Sequence, residues 1–577
     1  MVIHKKTAKR GEAGDAVPAT GARALMKFII GQGVDLVFGY PGGAIMPVYD
    51  ALYFFRDKIR HIQVRHEQGA VHAAQGYARV TGRTGVCFVT SGPGATNIVT
   101  GIADAKADST PVVVISGQVP SAMLGNEAFQ ETDIISITKP IAKWNFQVTR
   151  PEEIPGAIAE GFRIARSGRP GPVLIDITKD AQSGSFRFEN KFFDRSPKIN
   201  YSSLVDPLQV EEAVRLINLS VKPMFLVGQG VRLARAEKAL LGFIEKTGIP
   251  AAETLLGLST LPSNHPLNVG LVGMHGNYGP NVKTNECDLI IAAGMRFDDR
   301  VTSDVSSYAK KAKIVHLEIE PSQINKRVYA DAPVLGDIKD SLPILTSMVH
   351  ENDHSEWLEE FRACYRLEYE RVIEKEVFPA EGPVTMGEVV RHVSSSFTED
   401  AVMVTDVGQH QMIAWRYFGF RKPGSVVTSG GLGTMGFGLP AAIGAKIGKP
   451  CRPVVLFAGD GGFQMTLQEL ATLSQYKVPV KMVLINNNFL GMVRQWQEMF
   501  YEKRYSSTLM SNPDFQSIAP GYGIPSEKVV CRSELDGAVK RMAESSGPYL
   551  LEVAVEKEQN VFPMVPPGGS VEDIRLE

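Results

Sequence analysis

The sequence predicts an α/β protein of three doubly wound parallel-sheet modules. Three observations carry this. Short β-branched and apolar runs recur along the chain, each ending in a glycine-rich, amide-rich or acidic turn, as strands buried on both faces do. Helical stretches such as 67–80 and 464–476 alternate with them, the pattern of a parallel sheet. The chain has 577 residues, which at ~150 per domain makes three or four domains.

Taken in order, the runs are these. Residues 86–90 lead into Ser91-Gly92-Pro93-Gly94, and 112–116 into Gly117. Residues 224–227 precede Gly228-Gln229-Gly230, 289–293 precede Gly294, and 314–319 precede Glu320-Pro321. Residues 454–458 precede Gly459-Asp460-Gly461, and 480–485 precede Asn486-Asn487. Two stretches break the rhythm. Residues 186–207 are polar and strandless, and 353–383 read as a charged helix ending in Phe378-Pro379-Ala380-Glu381-Gly382-Pro383. Taken as linkers, they divide the chain into modules at 1–190, 195–355 and 375–577.

Composition narrows the function. Lys and Arg number 61 against 63 Asp and Glu, a net charge of −2, so no basic face for nucleic acid is expected. Apolar residues make up 44% and charged residues 21%, which excludes a disordered polyelectrolyte. No apolar run reaches the ~18 residues of a membrane span. Cys87, Cys287, Cys364, Cys451 and Cys531 lie far apart and read as thiols of a reducing compartment, neither disulfides nor a zinc site. The first 20 residues carry Lys5, Lys6, Lys9 and Arg10 without an apolar core, and Glu12 and Asp15 argue against a transit peptide. A soluble cytoplasmic protein is the expectation. The 55 glycines cluster at strand ends, where open α/β sheets bind ligands.

The most specific motif is Gly459-Asp460-Gly461-Gly462-Phe463, followed by a helix and then by Asn486-Asn487-Asn488. The spacing from Asp460 to Asn487 suits one β-α-β unit, whose right-handed crossover brings both strand ends to one edge. A carboxylate and an amide oxygen suit Mg²⁺, which keeps phosphate and water for its other positions. The glycines would admit a phosphate to the helix N-terminus. Elsewhere, His66-Glu67 opens an Ala- and Gly-rich helix but lacks the second His of a zinc peptidase, because position 70 is Ala. Gly431-Leu432-Gly433-Thr434-Met435-Gly436 matches a dinucleotide fingerprint but has no acidic residue about 20 positions later. By spacing alone Glu67 reads first as a helix N-terminal charge, and core filling is the alternative for Met435.

The Gly-Asp-Gly to Asn-Asn arrangement resembles the thiamin-diphosphate enzymes. The resemblance makes Asp460, Asn487 and the carbonyl of Phe489 the metal ligands. It places Gly459, Gly461, Gly462, Gly433 and Met492 beside the cofactor, with Met435 as the apolar wedge beneath its thiazolium. It makes Glu67 the residue that shares a proton with the aminopyrimidine, since a carboxyl taken out of water holds its proton more tightly. The imino form of that ring then takes the C2 proton of the thiazolium, and the cofactor serves as electron sink for a 2-keto acid.

Further motifs run in order along residues 20–565: Phe38-Gly39-Tyr40-Pro41-Gly42-Gly43-Ala44, Gly117-Gln118-Val119-Pro120, Ala128-Phe129-Gln130-Glu131, Arg169-Pro170-Gly171-Pro172-Val173, Lys179-Asp180, Gly273-Met274-His275-Gly276, Gly294-Met295-Arg296-Phe297-Asp298-Asp299-Arg300, and Gly491-Met492-Val493-Arg494-Gln495-Trp496. Together they resemble the catalytic subunits of the acetohydroxyacid synthase (acetolactate synthase) family, in its biosynthetic, FAD-containing form. That implies pyruvate condensing with a second pyruvate or 2-ketobutyrate, giving 2-acetolactate or 2-aceto-2-hydroxybutyrate and CO₂, at the head of valine and isoleucine synthesis. It assigns the first module to the pyrimidine and Glu67, the second to FAD, and the third to diphosphate and Mg²⁺. It carries FAD contacts onto Arg169, Gly228, Gly230, Thr254, Met274, His275, Gly294, Arg296, Asp298, Glu320 and Asp337. It places Gly43, Phe129, Gln130, Lys179, Arg296 and Trp496 around the substrates. Arg296 would fork onto a carboxylate, and Trp496 would favour one extra methylene by only ~1–3 kcal/mol.

The resemblance also implies a homodimer at least, and a separate regulatory subunit. Gly279-Pro280 and Pro520 depart from the family pattern and put their local segments in doubt. A pyruvate oxidase or another thiamin-diphosphate decarboxylase or carboligase is the nearest alternative, and an inactive cofactor-binding scaffold the one of a different class.

Overall fold

The computed structural model describes residues 17–188, 205–397 and 400–577. Among them are three six-stranded sheets, parallel throughout, and one antiparallel ribbon of β1 (Val17–Thr20) with β8 (Ser185–Phe188). The first sheet holds β2 (Leu36–Gly39), β3 (Arg60–Gln63), β4 (Gly85–Val89), β5 (Val112–Gln118), β6 (Trp144–Val148) and β7 (Val173–Thr178), in the order β3-β2-β4-β5-β7-β6. The second holds β9 (Pro223–Val227), β10 (Ala251–Glu253), β11 (Asn268–Leu271), β12 (Leu289–Ala293), β13 (Lys313–Glu318) and β14 (Ala332–Leu335), ordered β11-β10-β9-β12-β13-β14. The third holds β15 (Val402–Thr405), β16 (Val426–Val427), β17 (Val454–Gly459), β18 (Val480–Asn486), β19 (Ser526–Val529) and β20 (Tyr549–Ala554), ordered β16-β15-β17-β18-β20-β19.

Counted within each sheet, the first and third share one strand order, 2-1-3-4-6-5. The second has 3-2-1-4-5-6, the order in which dinucleotides bind at the central crossover. So the sheet most like a dinucleotide fold is the middle one, and the fingerprint-like Gly431–Gly436 lies in the third.

Every strand read from an apolar run is present, shifted by two residues at most. The strands without such a run include β3, β6, β11 and β19, all at sheet edges and only partly buried, so they need no continuous apolar stretch. The helix expected over 464–476 is broken. The helix Asp460–Met465 stops at Thr466, whose hydroxyl donates to the carbonyl of Gly436 (2.9 Å), and a 3-10 turn Leu467–Glu469 leads into a second helix, Leu470–Tyr476.

Of the stretch 186–207, residues 189–204 lie outside the described residues. The stretch 353–383 is not a loose tether. The helix Ser355–Glu368 passes through a π-helical turn into Glu374–Val377. Trp357 and Phe361 are buried, and Trp357 Nε1 donates to the carbonyl of Pro223 (2.8 Å). Glu368 pairs in the interior with Arg416 of the third module and accepts from the backbone N–H of Tyr278 (2.7 Å) in the second. Both doubtful segments are helical: Pro280 sits in the first turn of Tyr278–Thr284, where no N–H is needed, and Pro520 in the last turn of Phe515–Gly521.

The first and third modules dock through α1 (Glu67–Thr81) and α3 (Gly438–Gly448), with α2 (Val99–Ala107) between them in the chain. Gly76 faces the carbonyl of Ala441, and Gly444 the carbonyl of Ala73, so closely that a Cβ on either would lie 2.0 or 1.8 Å from that oxygen.

Candidate active site

Two cavities open at the carboxyl ends of strands. The smaller, about 70 Å³, lies at the edge of the third sheet. The register pairs Gly459 with Ile485, so Asp460 and Asn487 leave β17 and β18 side by side. Both side chains are buried, and Gly459, Gly461, Gly462, Phe489, Met435 and Met492 are among the other lining residues. Burial pushes the Asp460 carboxyl up to about 6, opposed by the Asn512 amide that donates to it at 2.6 Å. Among the described residues no cluster of three His, Cys, Asp or Glu exists. One carboxylate with amide and carbonyl oxygens is nonetheless what Mg²⁺ uses when phosphate supplies the rest.

The glycines here answer to packing as well as to a ligand. A Cβ on Gly462 would lie 2.3 Å from Asp406 Oδ1, and one on Gly459 2.7 Å from His410 Nδ1. Sequence reasoning passed over the strand end β15, which brings His410 and Gln409 into this crevice. His410 is buried and held neutral by that burial, and its Nε2 has no partner in the protein. An unpartnered buried nitrogen over a Gly-lined crevice fits a diphosphate. Gln409 accepts from Asn487 Nδ2 (3.4 Å) and donates to Gln495 Oε1 (2.9 Å). The signal was available in the apolar run Val402-Met403-Val404-Thr405, followed by Asp406-Val407-Gly408.

The larger cavity, about 1280 Å³, lies where all three modules meet. Arg169, Gly230, Thr254, Met274, His275, Gly294, Arg296, Asp298, Asp337, Gly433, Met492 and Trp496 line it. Met492, Val407 and Val493 line both cavities, so the two adjoin. Arg169 Nε donates to Ser109 Oγ (2.8 Å), and Arg296 Nη1 to the carbonyl of Ala107 (3.2 Å). His275 is pushed down to about 3 by burial and by the nearby Arg416 and Arg300, and its Nδ1 has no partner in the protein. Trp415 Nε1, another unpartnered buried donor, also belongs to a residue on this wall. The size, the arginines and the free ring nitrogens fit a large phosphate-bearing ligand such as FAD.

Two of the expected contacts sit differently. Gly228 packs on Gly294, where its Cβ would be 2.2 Å from a carbonyl oxygen, and is not part of the lining. Glu320 is also outside the lining: its carboxylate caps the turn Pro321–Gln323 by accepting from Ser322. The acid at that strand end facing the cavity is Glu318, raised to about 7 by burial.

Glu67, Gly43, Phe129, Gln130 and Lys179 line neither cavity. All follow carboxyl ends of the first sheet: Gly43 after β2, Glu67 after β3, Phe129 and Gln130 after β5, and Lys179 after β7. Short contacts tie parts of this edge to the segment after β4. Asn97 Nδ2 donates to Glu67 Oε2 (2.9 Å), Ala44 N to Thr90 Oγ1 (3.2 Å), and a Cβ on Gly92 would lie 2.8 Å from the carbonyl oxygen of Gln130. Gly43, Phe129 and Lys179 are exposed. The expected site residues therefore fall into two separate groups, at the carboxyl ends of two sheets of one topology.

The loop between the cavities is held from the first module. Asp104 Oδ1 accepts from Thr434 Oγ1 (2.8 Å) and from Ser429. Asp108 accepts from the N–H groups of Gly430 (2.9 Å) and Gly431 (2.6 Å) and pairs with Arg79 (2.7 Å). These acids, missed in the sequence, lie on α2 (Asp104) and at its C-terminal cap (Asp108), and the helix spacing gives no sign of its neighbour.

Comparison with known proteins agrees with this layout. Three family models match in order: the thiamine pyrophosphate enzyme N-terminal TPP binding domain over residues 19–137, the central domain over 210–345, and the C-terminal TPP binding domain over 406–553. A probable acetolactate synthase large subunit of Methanocaldococcus jannaschii is 44% identical over 96% of each chain. The acetolactate synthase isozyme 2 large subunit of Escherichia coli is 43% identical over 95% of this chain and 98% of its own. The acetolactate synthase large subunit of Corynebacterium glutamicum is 44% identical over 98% of this chain and 92% of its own. With a full-length match of that strength and the same three modules in the same order, this chain belongs to the acetolactate synthase large subunits of the thiamine pyrophosphate enzyme family.

Proposed function

We propose that this chain condenses pyruvate with a second pyruvate or with 2-ketobutyrate, using thiamin diphosphate, Mg²⁺ and FAD, as the first common step of branched-chain amino-acid synthesis. Acetolactate synthesis on thiamin diphosphate is the activity of its family. The three sheets, which lie one within each range, support a division into modules at 1–190, 195–355 and 375–577. The observation that carries the finer reading is the adjacency of the two cavities, one suited to a metal and diphosphate and one to a large flavin.

In this reading Asp460, Asn487 and the Phe489 carbonyl hold Mg²⁺, and His410 and the Gly459–Gly462 backbone meet the diphosphate. When bound, thiamin diphosphate supplies the electron sink for the decarboxylated carbon. Glu67 holds a proton against the pyrimidine, and Asn97 fixes the carboxylate that does so. Met435 and Met492 exclude water from the reacting side. Arg296 forks onto a substrate carboxylate at the mouth of the larger cavity, and Trp496 supplies an apolar wall there for the extra methylene of 2-ketobutyrate. Gly43, Phe129, Gln130 and Lys179 face the same substrates from the edge of the first sheet. The residues Arg169, Gly230, Thr254, Met274, His275, Gly294, Asp298 and Asp337 receive the flavin, with Glu318 at the strand end where Glu320 was expected.

That Glu67 lines neither cavity of its own chain supports a site completed by a second copy, with a homodimer as the smallest active unit. A small regulatory subunit and a cytoplasmic setting complete the proposal.

The test is purification of the chain, loading with thiamin diphosphate, Mg²⁺ and FAD, and product identification from pyruvate with and without 2-ketobutyrate. Acetolactate and acetohydroxybutyrate are expected. O₂ consumption with acetyl phosphate would identify an oxidase, and binding without turnover a scaffold.

A further inference from the structure

Glu469 is a fully buried carboxylate with no place in either cavity. It ends the 3-10 turn that follows the Asp460 helix, in the third module. Its Oε1 accepts from two backbone N–H groups of the first module, Arg65 (2.9 Å) and His66 (3.1 Å), and its Oε2 accepts from Thr472 Oγ1 (2.6 Å). Arg65 and His66 immediately precede Glu67. His66 is the cap of α1, its Nδ1 accepting from the N–H of Gln68 (3.2 Å).

The same short segment of the third module holds the approach to α1 twice more. Tyr476 Oη accepts from the N–H of Gln63 (2.9 Å), and Gln475 Oε1 accepts from Arg65 Nη2 (2.5 Å). The first turn of α1 is also cut to fit this carboxylate: a Cβ on Gly69 would lie 2.6 Å from Glu469 Oε1. A negative group is favoured at a helix N-terminus, and two buried N–H groups left without an acceptor would cost more than an ordinary hydrogen bond contributes.

We propose that Glu469 is a positioning residue for Glu67, fixing the turn that aims the Glu67 carboxylate. The proposal rests on the reading of Glu67 given above. Glu469 touches neither substrate nor cofactor; it acts through the backbone of residues 65 and 66. Since an amide oxygen accepts the same two N–H groups, the role belongs to the hydrogen bonds and not to the charge.

The experiment uses the full chain and three variants, E469A, E469Q and G69A, with E67Q as reference. The first readout is amide hydrogen exchange of the peptide covering residues 63–70 without cofactor. The second is the rate of hydrogen–deuterium exchange at C2 of thiamin diphosphate bound with Mg²⁺. For E469A, faster amide exchange and a C2 rate at least tenfold lower are expected, with thiamin diphosphate affinity within twofold of wild type. E469Q should restore both. G69A removes no buried group and suits a helix better than glycine, so it folds if E469A does not, and it should slow C2 exchange by crowding the same oxygen. Wild-type C2 exchange in both E469A and G69A overturns the proposal, as does an E469Q variant as impaired as E469A. If E67Q itself exchanges C2 at the wild-type rate, the reading of Glu67 fails instead.

Discussion

Gly444→Ala tests the docking that brings the third module onto the Glu67 helix. An ideal Cβ at 444 lies 1.8 Å from the Ala73 oxygen and 2.6 Å from its carbon. Ordinary contact begins at 3.4 Å, so the two helices must part by about 1.6 Å. The obstacle is backbone, which cannot rotate away as a side chain would. Overpacking of this kind costs ~1–3 kcal/mol, and the upper end applies here. Alanine returns ~1 kcal/mol of helix propensity. The expected net loss is about 2 kcal/mol. Because α1 begins at Glu67, turnover should fall as well. Urea unfolding gives the stability, read as a lower midpoint at unchanged slope. Gly242→Ala is the control: it lies in the helix Glu237–Thr247 with nothing within 4 Å of its Cβ, and should be neutral or stabilising. A Gly444→Ala variant with the wild-type midpoint and full activity would refute the reasoning.

Glu67→Gln should bind thiamin diphosphate normally and lose ~10²–10⁴-fold in turnover, the usual weight of a positioned acid–base group; a fully active variant removes the mechanism. Trp496→Leu should shift competition between 2-ketobutyrate and pyruvate by up to ~1–3 kcal/mol, seen in the product ratio when both are supplied. Glu253 is buried at the end of β10, accepting from the N–H groups of Thr260 (2.9 Å) and Leu261 (3.0 Å), and burial raises it from 4.5 to about 8. A carboxyl raised on folding gives stability that is complete below its unfolded pKa and is lost as pH rises through the folded one. Wild type should therefore weaken between about pH 4.5 and 8. Glu253→Gln should flatten that decline, measured as urea midpoints at pH 6 and 8; parallel curves would count against it.

Much of the fold was legible because parallel strands buried on both faces must be apolar runs. Val454–Gly459 and Val480–Asn486 announced themselves, and so did the acid and amide at their ends. Edge strands such as Trp144–Val148 did not, since one side faces outward and the pattern dissolves. The helix expected over 464–476 failed at Thr466, where a side-chain bond to Gly436 outweighs a continuous apolar period. Glu318 and Glu320 are two residues apart on one strand end, and spacing alone could not say which would face the cavity.

By itself the sequence determined the α/β class, the glycine-rich strand ends, and the carboxylate and amide that end neighbouring strands. These are local properties: an apolar run, a turn, a functional group at fixed spacing. Only the tertiary structure decided that the first and third sheets share one strand order, and that the middle one has the order suited to a dinucleotide. It alone set Gly228 against Gly294, and Glu469 under the turn before Glu67. These pairs join residues far apart in the chain. Their energies come from backbone approach and burial, and neither leaves a mark in the neighbouring sequence.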